Sequence, residues 1–409
     1  MNGLQHAPMN QFPVVDDCLQ VGGRSITGIA RELGGGAFYV YDRQLMSRRM
    51  ADLRAAMPSE LLIKYAIKAN PMPAVVQHME GLVDGLDVAS AGELQVALET
   101  GIDPAKVSFA GPGKMDWELR QAVAAGAVLN LESENEMERV AAIGEALGAT
   151  PRCAVRVNPA FELKSSGMKM GGGPKPFGVD AERVPAMLAR LGTLGLEFQG
   201  LHIYSGSQNL NADSIIEAQN KTLELAYELS ASTPGPARWL NIGGGFGIPM
   251  FPGDKRLDLS PIAENLAHKV SEVAERLGGT RVAIELGRYL VGESGLYVCE
   301  VVDRKLSRGE VFIITNGGLH HHLALSGNFG QVLRKNYPLV VANKVSGAER
   351  EVANVVGPLC TPLDILGARM ELAKAAPGDL IAVYQSGAYG FTASPHLFLS
   401  HPAPQQILV

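Results

Sequence analysis

The residues best suited to chemistry in this sequence are a lysine, a glutamate and a run of glycines, each placed after a strand-like segment. Lys68 lies in the phrase Tyr-Ala-Ile-Lys-Ala-Asn-Pro at 65–71. An amine that projects from an apolar strand into a partly dry pocket loses proton affinity, and it can then form a Schiff base with an aldehyde. Because a lysine taken alone is more often solvated, the interpretation depends on its partners.

The partners are suited to a phosphate-bearing ligand. Gly243, Gly244 and Gly245 follow a strand-like run, and such a turn can direct backbone N–H groups at a phosphate. Glycine triplets also occur in ordinary turns. Glu285 and Arg288 add a carboxylate and a guanidinium after another run. A phosphate-bearing cofactor that needs an amine, a carboxylate and phosphate donors is pyridoxal 5'-phosphate.

These groups need a scaffold that gathers the ends of many strands. Eight β-rich runs alternate with segments that carry apolar residues at helical spacing. The runs are 61–67, 86–89, 107–110, 127–131, 153–157, 198–204, 239–242 and 282–285. Eight strands with intervening helices over roughly 225 residues predict a (β/α)8 barrel of the TIM type, with a doubly wound open sheet as the alternative.

Polar side chains cluster at the carboxyl ends of these runs. They are Lys68, Asp87, Glu132, Arg156, Asn158, His202, Tyr204, Asn241 and Glu285. In a barrel such positions converge on one face, which is where active sites are built. The sequence therefore predicts that these side chains form one site.

The chain changes character after residue 285. Runs at 296–302, 311–315, 339–341, 350–356 and 380–384, separated by Gly, Pro, Asn and Asp, predict a mainly β second domain. We therefore expect three parts: residues 1–40 pair with the β domain, residues 41–285 form the cofactor-binding barrel, and residues 286–409 form the β domain. The Gly- and Pro-rich segment 171–176 is the best candidate for a mobile lid.

Composition excludes several other classes of protein. The 409 residues are 46% hydrophobic and 19% charged, which excludes disorder, and the net charge of −6 offers no basic surface to nucleic acid. No apolar stretch is long enough to span a bilayer and no signal sequence is recognisable, so we expect a cytoplasmic protein. The four cysteines are too scattered for a disulfide framework or a zinc site and are expected to be reduced thiols.

Eight phrases carry a resemblance to a known family. In order along the chain they are YAIKANP, DVASAGEL, RVNP, GSQ, GGGFG, ELGRYLVGESG, GPLC and GAYG. Over nearly its whole length the chain resembles the fold-type III pyridoxal-phosphate decarboxylases, which include the diaminopimelate, ornithine and arginine decarboxylases. The resemblance implies a pyridoxal-binding barrel followed by a β domain, as in alanine racemase, and a head-to-tail homodimer with active sites at the subunit interface.

The resemblance also implies roles for individual residues. Lys68 corresponds to the lysine that binds the cofactor aldehyde, and Glu285 to the carboxylate that keeps the pyridine nitrogen protonated. Cys360 corresponds to a thiol that crosses from the partner subunit and helps to protonate the substrate carbon after CO2 leaves. The implied cofactor-binding residues are Lys68, Asp87, Arg156, His202, Tyr204, Ser207, Gly243, Gly244, Gly245, Glu285, Arg288 and Tyr389. Glu93 resembles a further acidic residue near the Schiff base.

One cofactor contact departs from the family pattern. The family places a histidine against the ring face two residues before its Gly-Ser pair, and this sequence has Tyr204 there. His202 lies two residues earlier and, because side chains alternate along a strand, on the same side. Either could stack on the cofactor, and the register favours Tyr204.

Larger departures lie at the substrate end. Thr361 and Pro362 follow Cys360 where decarboxylases of basic amino acids have an acidic residue for the distal amino group, and Ala324 stands where diaminopimelate decarboxylases have an arginine. A buried ammonium without a partner costs several kcal/mol, so free ornithine, lysine and diaminopimelate are disfavoured. The pattern is most similar to a subgroup of exosortase-associated and glutamyl-acyl-carrier-protein decarboxylases.

The histidine run 320–322 belongs to the same rebuilt region. Adjacent residues on an extended segment point in alternate directions, and no recognisable ligand set completes it, so no metal site is predicted. We expect substrate contacts instead, with His320, His321 and Thr361 as candidates.

The sequence thus predicts a pyridoxal-phosphate-dependent α-decarboxylase whose substrate has a neutral or carrier-linked distal end. A diaminopimelate decarboxylase acting on the free amino acid is the alternative. An amino-acid racemase needs a second acid/base on the opposite ring face, and the GPLC and GAYG phrases favour decarboxylation. A regulator without cofactor is disfavoured because Lys68, Glu285 and Cys360 are all present.

Overall fold

The structure is a computed structural model that describes residues 5–161, 168–169, 171–327, 331 and 334–409. The chain forms two compact units. The first, the barrel unit, comprises Arg49–Gly247 and Leu257–Leu290. The second, the β unit, comprises Met1–Arg48, Ile248–Arg256 and Val291–Val409.

The barrel unit contains a closed barrel of eight parallel strands. They are β1 (Leu62–Ala66), β2 (Gly85–Val88), β3 (Val107–Phe109), β4 (Val128–Leu131), β5 (Arg152–Asn158), β6 (Glu197–Ile203), β7 (Trp239–Gly244) and β8 (Arg281–Leu286). Each strand pairs with the next, and β8 pairs with β1 to close the barrel. The predicted barrel is confirmed, every strand lies within two residues of its predicted bounds, and the open-sheet alternative is wrong.

Helices follow the strands and are delimited by local capping. For example, the helix Glu134–Leu147 begins where the Ser133 hydroxyl accepts a hydrogen bond from the Glu136 N–H, and it ends at Gly148 with a φ of +62°. The helices whose residues fall wholly or mainly in the barrel unit are Arg43–Ala56, Pro73–Glu80, Ala91–Glu99, Asp116–Ala125, Glu134–Leu147, Val184–Leu191, Ala212–Ser230, Ser260–Arg276 and Arg288–Val291. Single 3-10 turns occur at Ile67–Ala69 and Pro104–Lys106, and short strands at Met168–Lys169, Val179–Asp180 and Gly206–Ser207.

Two local details of the barrel bear on the predicted site. Strand β1 ends at Ala66, so Lys68 lies in the 3-10 turn Ile67–Ala69 rather than on the strand itself. The Gly172 N–H donates to the Pro159 carbonyl at 2.9 Å in the segment proposed as a lid. The neighbouring residues 162–167 and 170 lie outside the described residues. Motion of the segment 171–176 stays a prediction.

The β unit is organised around the long strand Gly295–Ser307. Its first half pairs with Phe38–Tyr41 and Leu380–Val383, and its second half with Glu310–Thr315. The remaining elements are the strands Val14–Val15, Cys18–Val21, Arg24–Ser25, Leu339–Val341, Arg350–Val356, Ile365–Ala373 and Gln405–Leu408, the helix Ile26–Glu32 and the 3-10 turns Gly292–Ser294, Leu323–Ser326 and Phe398–Ser400. The core includes Phe12, Ile29, Phe38, Leu296 and Val298. The predicted mainly β character is confirmed.

The sequence interpretation missed five of the strands described in this unit, namely Val14–Val15, Cys18–Val21, Arg24–Ser25, Ile365–Ala373 and Gln405–Leu408. Ile365–Ala373 alternates half-buried and exposed positions only in its middle, where Arg369 and Glu371 are exposed, and Gln405–Leu408 follows two closely spaced prolines. All four cysteines are free thiols. Within the described ranges, no helix is both long and apolar enough to cross a bilayer.

Candidate active site

The carboxylate of Glu285 is the centre of the polar cluster at the carboxyl end of the barrel. Its Oε1 lies 3.6 Å from the Lys68 Nζ, and its Oε2 lies 3.3 Å from the His202 Nε2. The Asn241 side-chain amide donates to Oε2 at 3.3 Å. The structure therefore brings together four of the residues predicted from strand ends, although they are up to 217 positions apart (285 − 68).

The surroundings of Glu285 keep this carboxylate ionised. Burial alone would raise its pKa, but the Lys68 ammonium and the nearby His202 hold the pKa of Glu285 well below its usual range. Burial lowers the pKa of His202, and contact with Glu285 only partly opposes this, so His202 is neutral near pH 7. A buried, charged carboxylate beside a half-exposed amine suits a ligand that carries a protonated ring nitrogen and an aldehyde.

Gly243 and Gly244 end β7 and Gly245 begins the loop after it, and this glycine loop provides a close approach that no larger residue allows. Gly243 and Gly245 both have a φ of +72°. A Cβ atom on Gly244 would lie 2.4 Å from the Glu285 carbonyl oxygen, and one on Gly245 would lie 2.3 Å from the Gly206 carbonyl oxygen. The loop thus packs directly on the segment that carries Ser207, as a phosphate cradle built from two segments requires.

We expect the Gly245→Ala variant to bind pyridoxal phosphate about 10- to 100-fold more weakly, because both the positive φ and the Gly206 contact oppose a Cβ atom. Equilibrium titration of the cofactor-free protein measures this loss. Gly235→Ala is the matched control, because its Cβ would meet nothing within 4 Å. Equal affinity of the two variants would contradict a phosphate site at this loop.

Arg156 is held by a buried acidic residue on the neighbouring strand end. Its Nη1 lies 2.8 Å from the Glu132 Oε1. Glu132 also accepts backbone N–H groups from Gly111 at 2.6 Å and Gly178 at 2.9 Å. Burial tends to raise the pKa of Glu132, but Arg156 and the other donors lower it overall. The guanidinium is therefore fixed in place by a charged partner.

The remaining cofactor candidates of the barrel unit lie around the same strand ends. The Tyr204 ring centroid lies 6.4 Å from that of His202, with the planes at 69°. Tyr204 is half-buried against Gly243, whereas His202 is buried against Glu285. This arrangement is consistent with Tyr204 as the stacking residue, which stays a prediction. Arg288 is half-buried and begins the helix Arg288–Val291.

Asp87 belongs to a buried network that the sequence interpretation did not foresee. Its Oδ1 accepts a hydrogen bond from the Ser108 hydroxyl at 2.9 Å, and Ser108 accepts one from the Lys64 Nζ at 3.2 Å. Burial and the nearby Glu285 raise the pKa of Asp87 well above its usual value. The available signal was a single lysine at position 64 in an otherwise apolar strand. Glu93, also predicted near this site, accepts the Ala89 N–H at 2.7 Å.

The predicted residues Cys360, Thr361 and Tyr389 belong to the β unit. Cys360 is exposed, Thr361 is half-buried, and Tyr389 is half-buried with a φ of +54°. In the same loop, Asp364 is buried, and its two oxygens accept the N–H groups of Leu319 at 2.6 Å and Leu359 at 2.9 Å. Asp364, the acidic residue four positions after Cys360, therefore holds the local backbone.

The three histidines 320–322 are buried in the β unit. His321 contacts the Tyr297 hydroxyl at 3.1 Å and the Pro402 carbonyl at 2.8 Å, and His322 contacts the Ser386 hydroxyl at 3.1 Å. Burial, together with neighbouring histidines, lowers the pKa of His320 to about 3. Among the described residues no group of three or more His, Cys, Asp or Glu side chains is arranged to hold a metal ion.

Comparison with known proteins agrees with this geometry. Residues 43–292 match the family described as "Pyridoxal-dependent decarboxylase, pyridoxal binding domain". The chain belongs to this family. It is 38% identical over 377 residues to L-glutamyl-[BtrI acyl-carrier protein] decarboxylase from Niallia circulans, covering 91% of this chain and 88% of that protein.

Further relatives match nearly the whole chain. Diaminopimelate decarboxylase from Aquifex aeolicus is 32% identical, with 96% of this chain and 91% of that protein covered. The crystal structure of diaminopimelate decarboxylase from Helicobacter pylori complexed with L-lysine has a TM-score of 0.80 and 27% identity, with 93% of each chain covered. The protein is therefore a carboxy-lyase of the pyridoxal-dependent type that acts on an amino acid, as the sequence predicted.

Proposed function

We propose that this decarboxylase acts on an amino acid whose distal end is neutral, in the form of an amide or a thioester on an acyl carrier protein. The observation that carries this proposal is that both carboxylate oxygens of Asp364 already accept hydrogen bonds from backbone N–H groups. Thr361 and Pro362 supply no charge in its place. A free distal ammonium would have no carboxylate partner in the loop 357–365.

The proposed cofactor is pyridoxal phosphate, whose protonated ring accepts the electron pair released when CO2 departs. The chain's own residues position it. Lys68 supplies the amine that joins its aldehyde, and Glu285 holds the proton on its ring nitrogen from a buried, ionised position. The proposed phosphate site consists of Ser207, Gly243, Gly244, Gly245, Arg288 and Tyr389. Arg156 and Asp87 are proposed contacts of the ring substituents, with Tyr204 stacked on the ring face.

We further propose that the protein acts as a homodimer in which the Cys360 thiol of one subunit serves the partner's site. The thiol is exposed on its own loop, so it is accessible to a second chain. Its task is to deliver a proton to the substrate carbon. In this arrangement residues 41–285 bind the cofactor, and residues 286–409, joined by 1–40, form the β domain.

The known relatives support both possible substrate classes, so the substrate itself requires a direct test. The relative from Niallia circulans is named for a glutamyl group on an acyl carrier protein, whereas the relative from Aquifex aeolicus is named for free diaminopimelate. Because an unpaired buried ammonium costs several kcal/mol, we expect kcat/KM to be about 100-fold or more higher for the neutral substrate.

The test is CO2 release from glutamyl carrier protein, free glutamate, ornithine and meso-diaminopimelate, each with the purified, cofactor-loaded enzyme. Glutamyl carrier protein is expected to be decarboxylated well above the free amino acids. A kcat/KM for diaminopimelate that equals or exceeds that for the carrier-linked substrate would reject the proposal in favour of a diaminopimelate decarboxylase.

A further inference from the structure

A second lysine is enclosed in the barrel beside the candidate site. Lys64 lies on β1, and only 6% of its surface is exposed. It is paired in register with Glu285 on β8 on one side and with Gly85 on β2 on the other. Parallel neighbours in register direct their side chains to the same face of the sheet, so the Lys64 ammonium points towards the interior that also holds the Glu285 carboxylate.

A chain of hydrogen bonds connects this lysine to Asp87. The Lys64 Nζ lies 3.2 Å from the Ser108 Oγ, and the Ser108 hydroxyl donates to the Asp87 Oδ1 at 2.9 Å. Gly85 on β2 packs closely on the next strand, because a Cβ there would lie 2.4 Å from the Lys106 carbonyl oxygen, and it would also contact the Lys64 Cγ at 3.6 Å. Among the described residues the other oxygen of Asp87, Oδ2, has no hydrogen-bond partner.

The charges of this interior are coupled. Lys64 faces Asp87 from β2 and Glu285 from β8, while Ser108 from β3 and the Trp239 ring from β7 complete its surroundings without charge. Asp87 in turn interacts with Glu285, Lys68 and Lys64. Glu93 also interacts with Lys68, so the two lysines share this region with three carboxyl groups. Loss of the positive charge from either lysine leaves an excess of negative charge in a medium of low dielectric constant.

Burial favours the neutral forms of both Lys64 and Asp87, the two ends of this hydrogen-bond chain. It lowers the pKa of Lys64 and raises the pKa of Asp87, and the charge of Glu285 adds to the second effect. The two groups are joined through one hydroxyl, so a proton can be held at either end. The charge on Asp87 is thus adjustable, and it acts on Lys68.

We propose that Lys64 is a positioning residue that, through Ser108 and Asp87, sets the pH at which the Lys68 amine loses its proton and becomes nucleophilic. The inference rests on the proposed function for the use to which that amine is put. The hydrogen-bond chain itself does not depend on it.

A purely structural role for Lys64 predicts something different. Its Nζ lies 4.2 Å from the centroid of the Trp239 ring, so the side chain could serve only to fill the barrel. In that case its replacement would lower stability and leave the titration of Lys68 unchanged. The matched control is Lys114, which is also buried, lies 5.7 Å from the Phe109 ring and pairs with Glu136 instead of Asp87.

The experiment measures the Lys68 amine directly in the full-length chain without cofactor. Trace acetylation over a range of pH, followed by mass spectrometry of the peptide that contains Lys68, gives the midpoint of its deprotonation. In Lys64→Met we expect this midpoint to rise by about one pH unit, because Lys64 then no longer offsets the negative charge that Asp87 exerts on Lys68. In Asp87→Asn we expect it to fall by about one unit, and in Lys114→Met to stay within about 0.3 unit.

Opposite shifts in Lys64→Met and Asp87→Asn would support the relay, and either one alone remains informative if the other variant does not fold. Unchanged midpoints in the folded variants, or an equal rise in Lys114→Met, would overturn it. In a parallel sample, borohydride trapping of pyridoxal phosphate on wild-type Lys68 tests the proposed function. That trapping can fail while the midpoints still shift, so failure of one idea is distinguishable from failure of the other.

Discussion

Replacement of Lys68 by alanine is expected to lower the rate of decarboxylation by about 1,000-fold or more, because covalent attachment of the cofactor needs this amine. The side chain is 43% exposed and lies 3.6 Å from Glu285, so its loss leaves the fold intact and removes a charge from the site. Steady-state CO2 release measures the rate. Mass spectrometry after borohydride reduction measures the adduct, which should be absent from the variant.

Lys221→Ala is the control for this variant. Its side chain is 41% exposed and pairs with Glu217 on a helix of the same unit. It should retain the wild-type rate and adduct. An adduct that persists in Lys68→Ala at another lysine would contradict the assignment of the attachment site.

Replacement of Glu285 by glutamine is expected to lower the rate of decarboxylation by about 100- to 1,000-fold, because an amide cannot hold a proton on the cofactor ring as a carboxylate does. The matched control is Glu118→Gln, a buried glutamate that accepts the N–H groups of Ala91 and Met115. Glu118→Gln should lower the free energy of unfolding but change the rate of decarboxylation little. Comparable loss of turnover in both variants would argue against a specific role for Glu285.

The same variant carries a prediction about pH. The pKa of Glu285 is lower in the folded chain than its ordinary value of 4.5, so the stability that its ionised form contributes is present above that value and is lost as the pH falls below it. Denaturant unfolding should therefore show that the free energy of unfolding decreases less between pH 7 and pH 4 for Glu285→Gln than for wild type. An identical decrease in the two proteins would indicate that the pKa of Glu285 is the same in the folded and the unfolded chain.

The barrel could be predicted because its strands are short apolar runs bounded by polar residues, and because a parallel sheet buries both faces of each strand. The cluster around Glu285 followed from topology alone, since the carboxyl ends of β1, β6, β7 and β8 meet on one face. Eight matching phrases then specified chemistry that topology leaves open, since a single barrel fold hosts many reactions.

The Lys64 network could not be predicted in the same way. A lysine in an apolar strand reveals its direction only when the register with Glu285 and Gly85 is known. The missed strand Ile365–Ala373 has a physical explanation too. Its outward positions are charged, so its pattern resembles that of a polar loop. The roles of Cys360 and Tyr389, both residues of the β unit, remain proposals.

The pairing of Phe38–Tyr41 has a consequence for biosynthesis. This early strand lies between Gly295–Ser307 and Gln405–Leu408, and both of its neighbours are made hundreds of residues later. The backbone N–H and C=O groups of Phe38–Tyr41 therefore stay unpaired while the barrel segments emerge and can already pair among themselves. A nascent chain arrested before residue 405 therefore leaves one edge of Phe38–Tyr41 open, and we expect such a chain to need a chaperone to protect that edge.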